Sequence, residues 1–325
     1  PEIADAHDLQ PITWVAAIEY EHGGKNRIDK PKSYDFFKNY QMLFGESQLS
    51  WYAAGLDLNS KREFSMFGKN ANGHHIPAMF TYRQIIDPNK YNDTKSMNPT
   101  TILNWPQNDY FFDNIIENDQ IEFHKERAKE LTQSLIYWLQ TEAKRDDGSG
   151  FGYPEIKLSK GTLGTEDGLA KAPYIRESRR IDALYTVKEQ DIALKYAAKP
   201  PKFWDSVGVG MYHIDLHMTT KSHTYFYEPT WPFEIPLGAL IPKQMKNLIP
   251  GCKNIGTTHI TNGCYRVHPI EWNIGESAGL LVAYAMKHQI TPYDLYQKKS
   301  EVSNFQKFLV DHGIMLYWPD EVYQK

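Results

Sequence analysis

The chain has 325 residues, 41% of them hydrophobic and 23% charged, enough apolar material for one large or two smaller buried cores. A formal net charge of −4 gives no electrostatic reason to expect nucleic acid or an anionic membrane as partner. The sequence contains no signal-peptide pattern and no apolar run of membrane-spanning length, so the expectation is a cytoplasmic protein with a small-molecule partner.

Taken in chain order, the pattern predicts a mixed α and β protein of the α+β type. Ile12 to Tyr20 is a strand-like apolar run, followed by a polar stretch, Gly23 to Tyr34, with Gly-Gly and Pro-Lys turn signals. Thr81 to Ile86 is a second such run, closed by a turn at Asp87-Pro88. The clearest helix is expected from about Asp119 to Lys144. Ala128, Leu131, Leu135, Trp138 and Leu139 recur at three and four, and Asp119 stands where an N-cap belongs. The Asp146-Asp-Gly-Ser-Gly150 stretch ends it, and a loop-rich span runs on to Pro173. Two short helices, Tyr293 to Gln297 and Ser300 to His312, are expected near the end, the second closed by Gly313.

Aromatic residues make up 14% of the chain, with 21 Tyr and 8 Trp. Such side chains suit a site that stacks on rings or sugars, but they also fill cores, and only clustering in a cleft separates the two. Cys252 and Cys264 do not form a CxxC redox pair.

Three stretches carry candidate chemistry. If Met211 to His217 is one strand, its period of two puts His213, Asp215 and His217 on one face. That trio suits acid–base work with a carboxylate fixing an imidazole tautomer, a metal site of two imidazoles and a carboxylate, or merely a solvated strand face. Pro173 to Ile181 brings Arg176, Arg179 and Arg180 together; an arginine fork can hold an acidic substrate or orient Glu177, or can close an internal ion pair with Glu177 or Asp182. Gly251 to Met286 reads as a turn-rich loop leading into a small-residue helix. Pro269 sits where a helix can begin, and Gly275, Ser277, Ala278 and Gly279 leave little side chain over its first turns. Such a helix start favours negative charge, or its small residues serve only close packing.

The run NIGTTHITNGCYRVHPIEWNIGESAG within Gly251 to Met286 resembles the C-terminal signature of a family of FAD-dependent oxidoreductases, related to the two-domain flavoproteins of the glutathione reductase and fumarate reductase type. The likeness extends through Asn104-Trp105-Pro106, Asn108-Asp109-Tyr110, Pro173 to Ile181, Ser206 to His217 and Phe233 to Pro242, in the family's order. It implies FAD as cofactor and hydride transfer from a small organic substrate. It also implies a matching Asp-x-His at Asp215 and His217, with His217, His259 or His268 as base and Asp215 orienting one of them. The flavin would meet Asn262, Gly263, Arg266, Pro269, Asn273, Ile274, Gly275 and Ala278, and the substrate Arg176, Arg179, Tyr265 and His213. By role, residues 1–240 are expected to form mainly the substrate-binding region, 241–290 the closing segment of the FAD domain, and 291–325 a helical tail.

The family's Gly-x-Gly-x-x-Gly turn for the FAD pyrophosphate has no counterpart here: Gly208-Val-Gly210 lacks the third glycine and lies in a strand-like run. The expectation is therefore a C-terminal portion of a longer flavoprotein, with the missing N-terminal half as a partner and most FAD contacts absent from this chain. Two other classes stay open on the residues alone: a non-catalytic module binding carbohydrate or another ligand, and a metal-dependent hydrolase using His213, Asp215 and His217.

Overall fold

The computed structural model describes residues 5, 7–55, 60–69, 72, 74–92, 97–196, 198–199 and 202–323. Helices and antiparallel sheets make it an α+β protein, and it divides into two compact units. Unit 1 comprises Pro1–Arg176 with His217–Tyr225, and unit 2 comprises Glu177–Leu216 with Phe226–Lys325. These units are defined by compactness, and the expected segments by role (1–240, 241–290 and 291–325) are a different division of the chain.

In unit 1 the apolar run from Ile12 to Tyr20 is two strands rather than one. Ile12–Thr13 is the centre of a three-stranded antiparallel sheet between Asp109–Tyr110 and Tyr174–Ile175. Ala16–Tyr20 lies in a second sheet, between Thr100–Leu103 and Ile156–Leu158, with Gln84–Ile86 at the edge. The helix predicted from Asp119 to Lys144 spans Ile121–Thr141. Its start is set by Asn118, whose carbonyl Oδ1 accepts from the Gln120 N–H at 2.7 Å, rather than by an Asp119 cap. The stripe of Ala128, Leu131, Leu135, Trp138 and Leu139 is buried as the three-and-four spacing requires. Within that face Thr132 donates to the Trp14 carbonyl at 2.6 Å, which ties the helix to the chain between the two sheets. Asp87 accepts from Asn89 N–H and caps a one-turn helix, Pro88–Lys90, at the expected turn.

In unit 2, Ser206–Gly210 pairs with Phe233–Pro236, and Ile214–Leu216 with Phe226–Glu228. The strand predicted over Met211 to His217 is therefore only three residues long, because the chain breaks between Gly210 and Ile214. The helix at Pro269 spans His268–His288, with the proline in its first turn as predicted. It buries Ile270, Ile274, Ser277, Ala278, Leu281, Tyr284 and Ala285, and Ser277 donates to the Val207 carbonyl at 2.6 Å. The expected loop before it contains a further short helix, His259–Tyr265, whose Thr258 side chain accepts from the Thr261 N–H. The two late helices are Pro292–Tyr296 and Lys299–Asp311, followed by Gly313 at φ 86°.

Gly208 and Gly210, the nearest likeness to a dinucleotide-binding turn, serve close packing. A Cβ on Gly208 would lie 1.9 Å from Asn273 Oδ1, and one on Gly210 would lie 2.4 Å from the Phe233 ring. Gly208→Ala should thus lower the unfolding free energy by about 1–3 kcal/mol, the usual range for overpacking, in a chemical denaturation. Unchanged stability would mean that the helix and strand are not in this close register.

Glu234 is fully buried in unit 2. One carboxylate oxygen accepts from Phe203 N–H at 2.7 Å, while Oε1 has no hydrogen-bond partner among the described residues. Burial pushes its carboxyl up to about 7. A raised carboxyl contributes its stability below the ordinary unfolded value near 4.3, and that contribution is lost as pH rises through about 7. Glu234→Gln should accordingly flatten the fall in stability between those two pH values, read from denaturation midpoints at pH 5 and pH 8.

Candidate functional site

A charged cluster closes around Asp109 in unit 1. The antiparallel register sets Thr13 opposite Asp109 on one side and Tyr174 on the other, and Arg176 follows one residue after that outer strand. Thr13 Oγ1 donates to Asp109 Oδ1 at 2.6 Å. The Arg176 guanidinium reaches Asp109 Oδ1 at 2.7 Å, Thr13 Oγ1 at 2.7 Å and the Pro11 carbonyl at 3.0 Å. His217 Nδ1 stands 2.5 Å from Asp109 Oδ2. Asp109 and Arg176 are 4% and 3% exposed, whereas the His217 side chain keeps 22% of its surface.

Burial alone would raise the Asp109 carboxyl, but Arg176 and His217, with the Thr13 hydroxyl, more than offset it and hold the carboxyl below its ordinary value. An ionised Asp109 accepts the Nδ1–H, which makes Nε2 the basic nitrogen of His217. The carboxylate on His217 Nδ1 is thus Asp109, a residue not singled out from the sequence, where Asp215 had been expected to orient a histidine.

His217 reaches this place because residues 217–225 join unit 1. Asp8 accepts from the N–H groups of Lys221 and Ser222 at 2.9 and 3.0 Å, and Thr220 N–H donates to the Leu9 carbonyl at 2.9 Å. Gln10 Oε1 accepts from the His217 N–H at 3.4 Å.

In unit 2 a second carboxylate, Glu177, holds a histidine. Its fully buried side chain accepts from Arg180 Nη1 at 2.5 Å and stands 2.8 Å from His259 Nδ1. Asp215 here faces Arg266, with Nη2 donating to its carbonyl at 2.9 Å and 3.9 Å from its carboxylate. Gly263 lets the short helix approach that strand, since a Cβ there would meet the Asp215 backbone at 3.1 Å. Asn262 Nδ2 donates to the Lys253 carbonyl at 3.1 Å, and its buried Oδ1 has no hydrogen-bond partner among the described residues. The same holds of Asn273 Oδ1 and Arg266 Nε.

The remaining expected residues are placed as follows. Tyr265 is fully buried with its hydroxyl on the Glu234 carbonyl, and Ile274 and Ala278 face the core. Arg179, His268 and Pro269 are exposed, and Gly275 packs beside the Gly251 carbonyl. His213 is stacked between Tyr212 and Tyr227, with ring centroids at 4.1 and 4.3 Å. Among the described residues no group of three or more His, Cys, Asp or Glu side chains is arranged to hold a metal ion, so the hydrolase built on His213, Asp215 and His217 lacks its ligand cluster. Also among the described residues, no helix is long and apolar enough to cross a membrane.

Two buried carboxylates, Asp109 and Glu177, thus each stand against Nδ1 of a partly exposed imidazole in an α+β framework. The family model for FAD dependent oxidoreductases matches residues 3–309, and the chain belongs to that family. Comparison with curated proteins and with solved structures gave no match.

Burial between the two tyrosines lowers the His213 pKa. A depressed imidazole contributes stability that is present above the ordinary value near 6.5 and is lost as pH falls through the folded value. The His213 ring protons should therefore titrate below that ordinary value in an NMR pH series, and a midpoint at or above it would mean the ring is not buried between the tyrosines.

Proposed function

We propose that this chain carries the substrate-binding and proton-transfer groups of an FAD-dependent oxidoreductase in which a small organic substrate gives up a hydride, with His217 as the general base. The observation that carries this reading is the Asp109 cluster: an ionised, almost fully buried carboxylate that holds Nδ1 of a partly exposed imidazole. The bound flavin supplies the hydride acceptor. His217 Nε2 takes the proton from a substrate hydroxyl or equivalent group as the hydride leaves the adjacent carbon, and Asp109 stabilises the imidazolium that forms. Arg176 keeps Asp109 ionised from within, so its guanidinium serves the base and not the substrate.

In unit 2, among the described residues, the buried Asn262 Oδ1 and Arg266 Nε have no hydrogen-bond partner, one acceptor and one donor of the kind an imide N–H and a ring carbonyl would meet, whereas Asn273 Oδ1 is packed against Gly208. His259, held by Glu177, is the alternative base in unit 2.

Stopped-flow flavin reduction in the FAD-loaded protein tests the assignment. His217→Ala should slow reduction by about 10²–10⁴-fold, the usual worth of a general base, without releasing FAD. Asp109→Asn should slow it as well, because an amide N–H facing Nδ1 favours the tautomer with the proton on Nε2. Wild-type reduction in His217→Ala together with a large loss in His259→Ala would transfer the role to His259.

A further inference from the structure

A cleft of about 360 Å³ lies wholly within unit 1, between the end of the Ile121–Thr141 helix and the hairpin Tyr52–Ala54/Lys61–Glu63, and none of Asp109, Arg176, Thr13 or His217 lines it. Its lining mixes polar and charged side chains with five aromatic rings, Trp51, Tyr52, Phe64, Trp138 and Phe151. Clustering of this kind is what separates a stacking site from core filling. Three of the rings carry a cation over the face: Lys61 over Tyr52 at 4.8 Å, Arg62 over Phe64 at 5.4 Å and Lys38 over Trp138 at 5.7 Å. Among the described residues no such cation covers Trp51 or Phe151.

Both uncovered rings are held in place. Trp51 donates its indole N–H to the Lys144 carbonyl at 2.9 Å and meets Trp138 edge-on at 5.2 Å. Phe151 is 72% exposed, yet its backbone is pinned on both sides: Arg145 N–H donates to Gly150 O at 3.0 Å and Gly152 N–H to Ala143 O at 2.8 Å. A large apolar ring on a fixed turn in water contributes nothing to the core and keeps its face available.

The charges around the cleft balance, with four acidic and four basic side chains among the described lining residues. No net field therefore selects an anion or a cation. The ligand that fits is uncharged, flat and apolar on one face, and rich in hydroxyl groups at its edge, and a volume near 360 Å³ holds one or two pyranose rings. We propose that this cleft is a carbohydrate-binding subsite for a neutral mono- or disaccharide unit, with Phe151 and Trp51 as the stacking platform. It uses no residue of the His217 cluster, so it stands or falls separately from the oxidoreductase reading.

Saturation-transfer NMR on the full chain, with cellobiose and maltose as probes and galacturonic acid and choline as charged controls, tests the proposal without any flavin readout. Transfer to the ring C–H protons of at least one disaccharide is expected, lost in Phe151→Ala and in Trp51→Ala. Phe151→Ala decides the matter, since an exposed ring can be removed without opening the core. No transfer to either disaccharide, transfer that survives Phe151→Ala, or preferential transfer to a charged control overturns it.

Discussion

A carboxylate at Asp109 is nearly removed from water, and an ion of that kind is tolerated only where its charge and its lone pairs are matched. Arg176 supplies the opposite charge, Thr13 a hydroxyl and His217 an imidazole N–H, so that three separate stretches of chain must arrive at one point. Removing Arg176 leaves the buried carboxylate without its counter-charge, at a cost on the order of 3–5 kcal/mol in comparable cases. The sheet register of unit 1 follows from this requirement as much as from apolar burial. Thr13 sits opposite Asp109, and a slip by one residue would turn both side chains to the other face.

The features legible in the sequence were those carried by short-range patterns. The three-and-four spacing from Ala128 to Leu139 gave the long helix of unit 1, and Pro269 gave the start of the long helix of unit 2, because periodicity and capping act within a few residues. The short strand at Ile214–Leu216 was over-extended by its alternating pattern, and the helix at His259–Tyr265 was hidden by a glycine and asparagine content that reads as loop. Both errors arise where tertiary contacts override local preference.

The site was less legible for a physical reason. Asp215 is the carboxylate that the sequence offers to one of His217, His259 or His268, whereas the carboxylate on His217 is Asp109, 108 residues away in sequence. Only strand pairing and the hydrogen bonds of Asp8 with residues 221 and 222 bring these stretches together, and neither leaves a periodic trace. The motif Asn108-Asp109-Tyr110 was visible as a resemblance, without a role attached. Glu177 was likewise visible beside its arginines, but not as the partner of His259, 82 residues on.

The membership of residues 217–225 in unit 1 bears on how the chain is made. Synthesis runs from the N-terminus, and unit 1 has all but this segment by Arg176. Glu177–Leu216, which belongs to unit 2, must leave the ribosome before His217 can enter its place beside Asp109. During that interval the Asp109 carboxylate has Arg176 and Thr13 but no imidazole, and Asp8 has no loop to hold. The nascent unit 1 therefore waits, incomplete, for a piece of sequence delivered through the opening part of its neighbour, and neither unit can be copied out of the gene as one uninterrupted stretch.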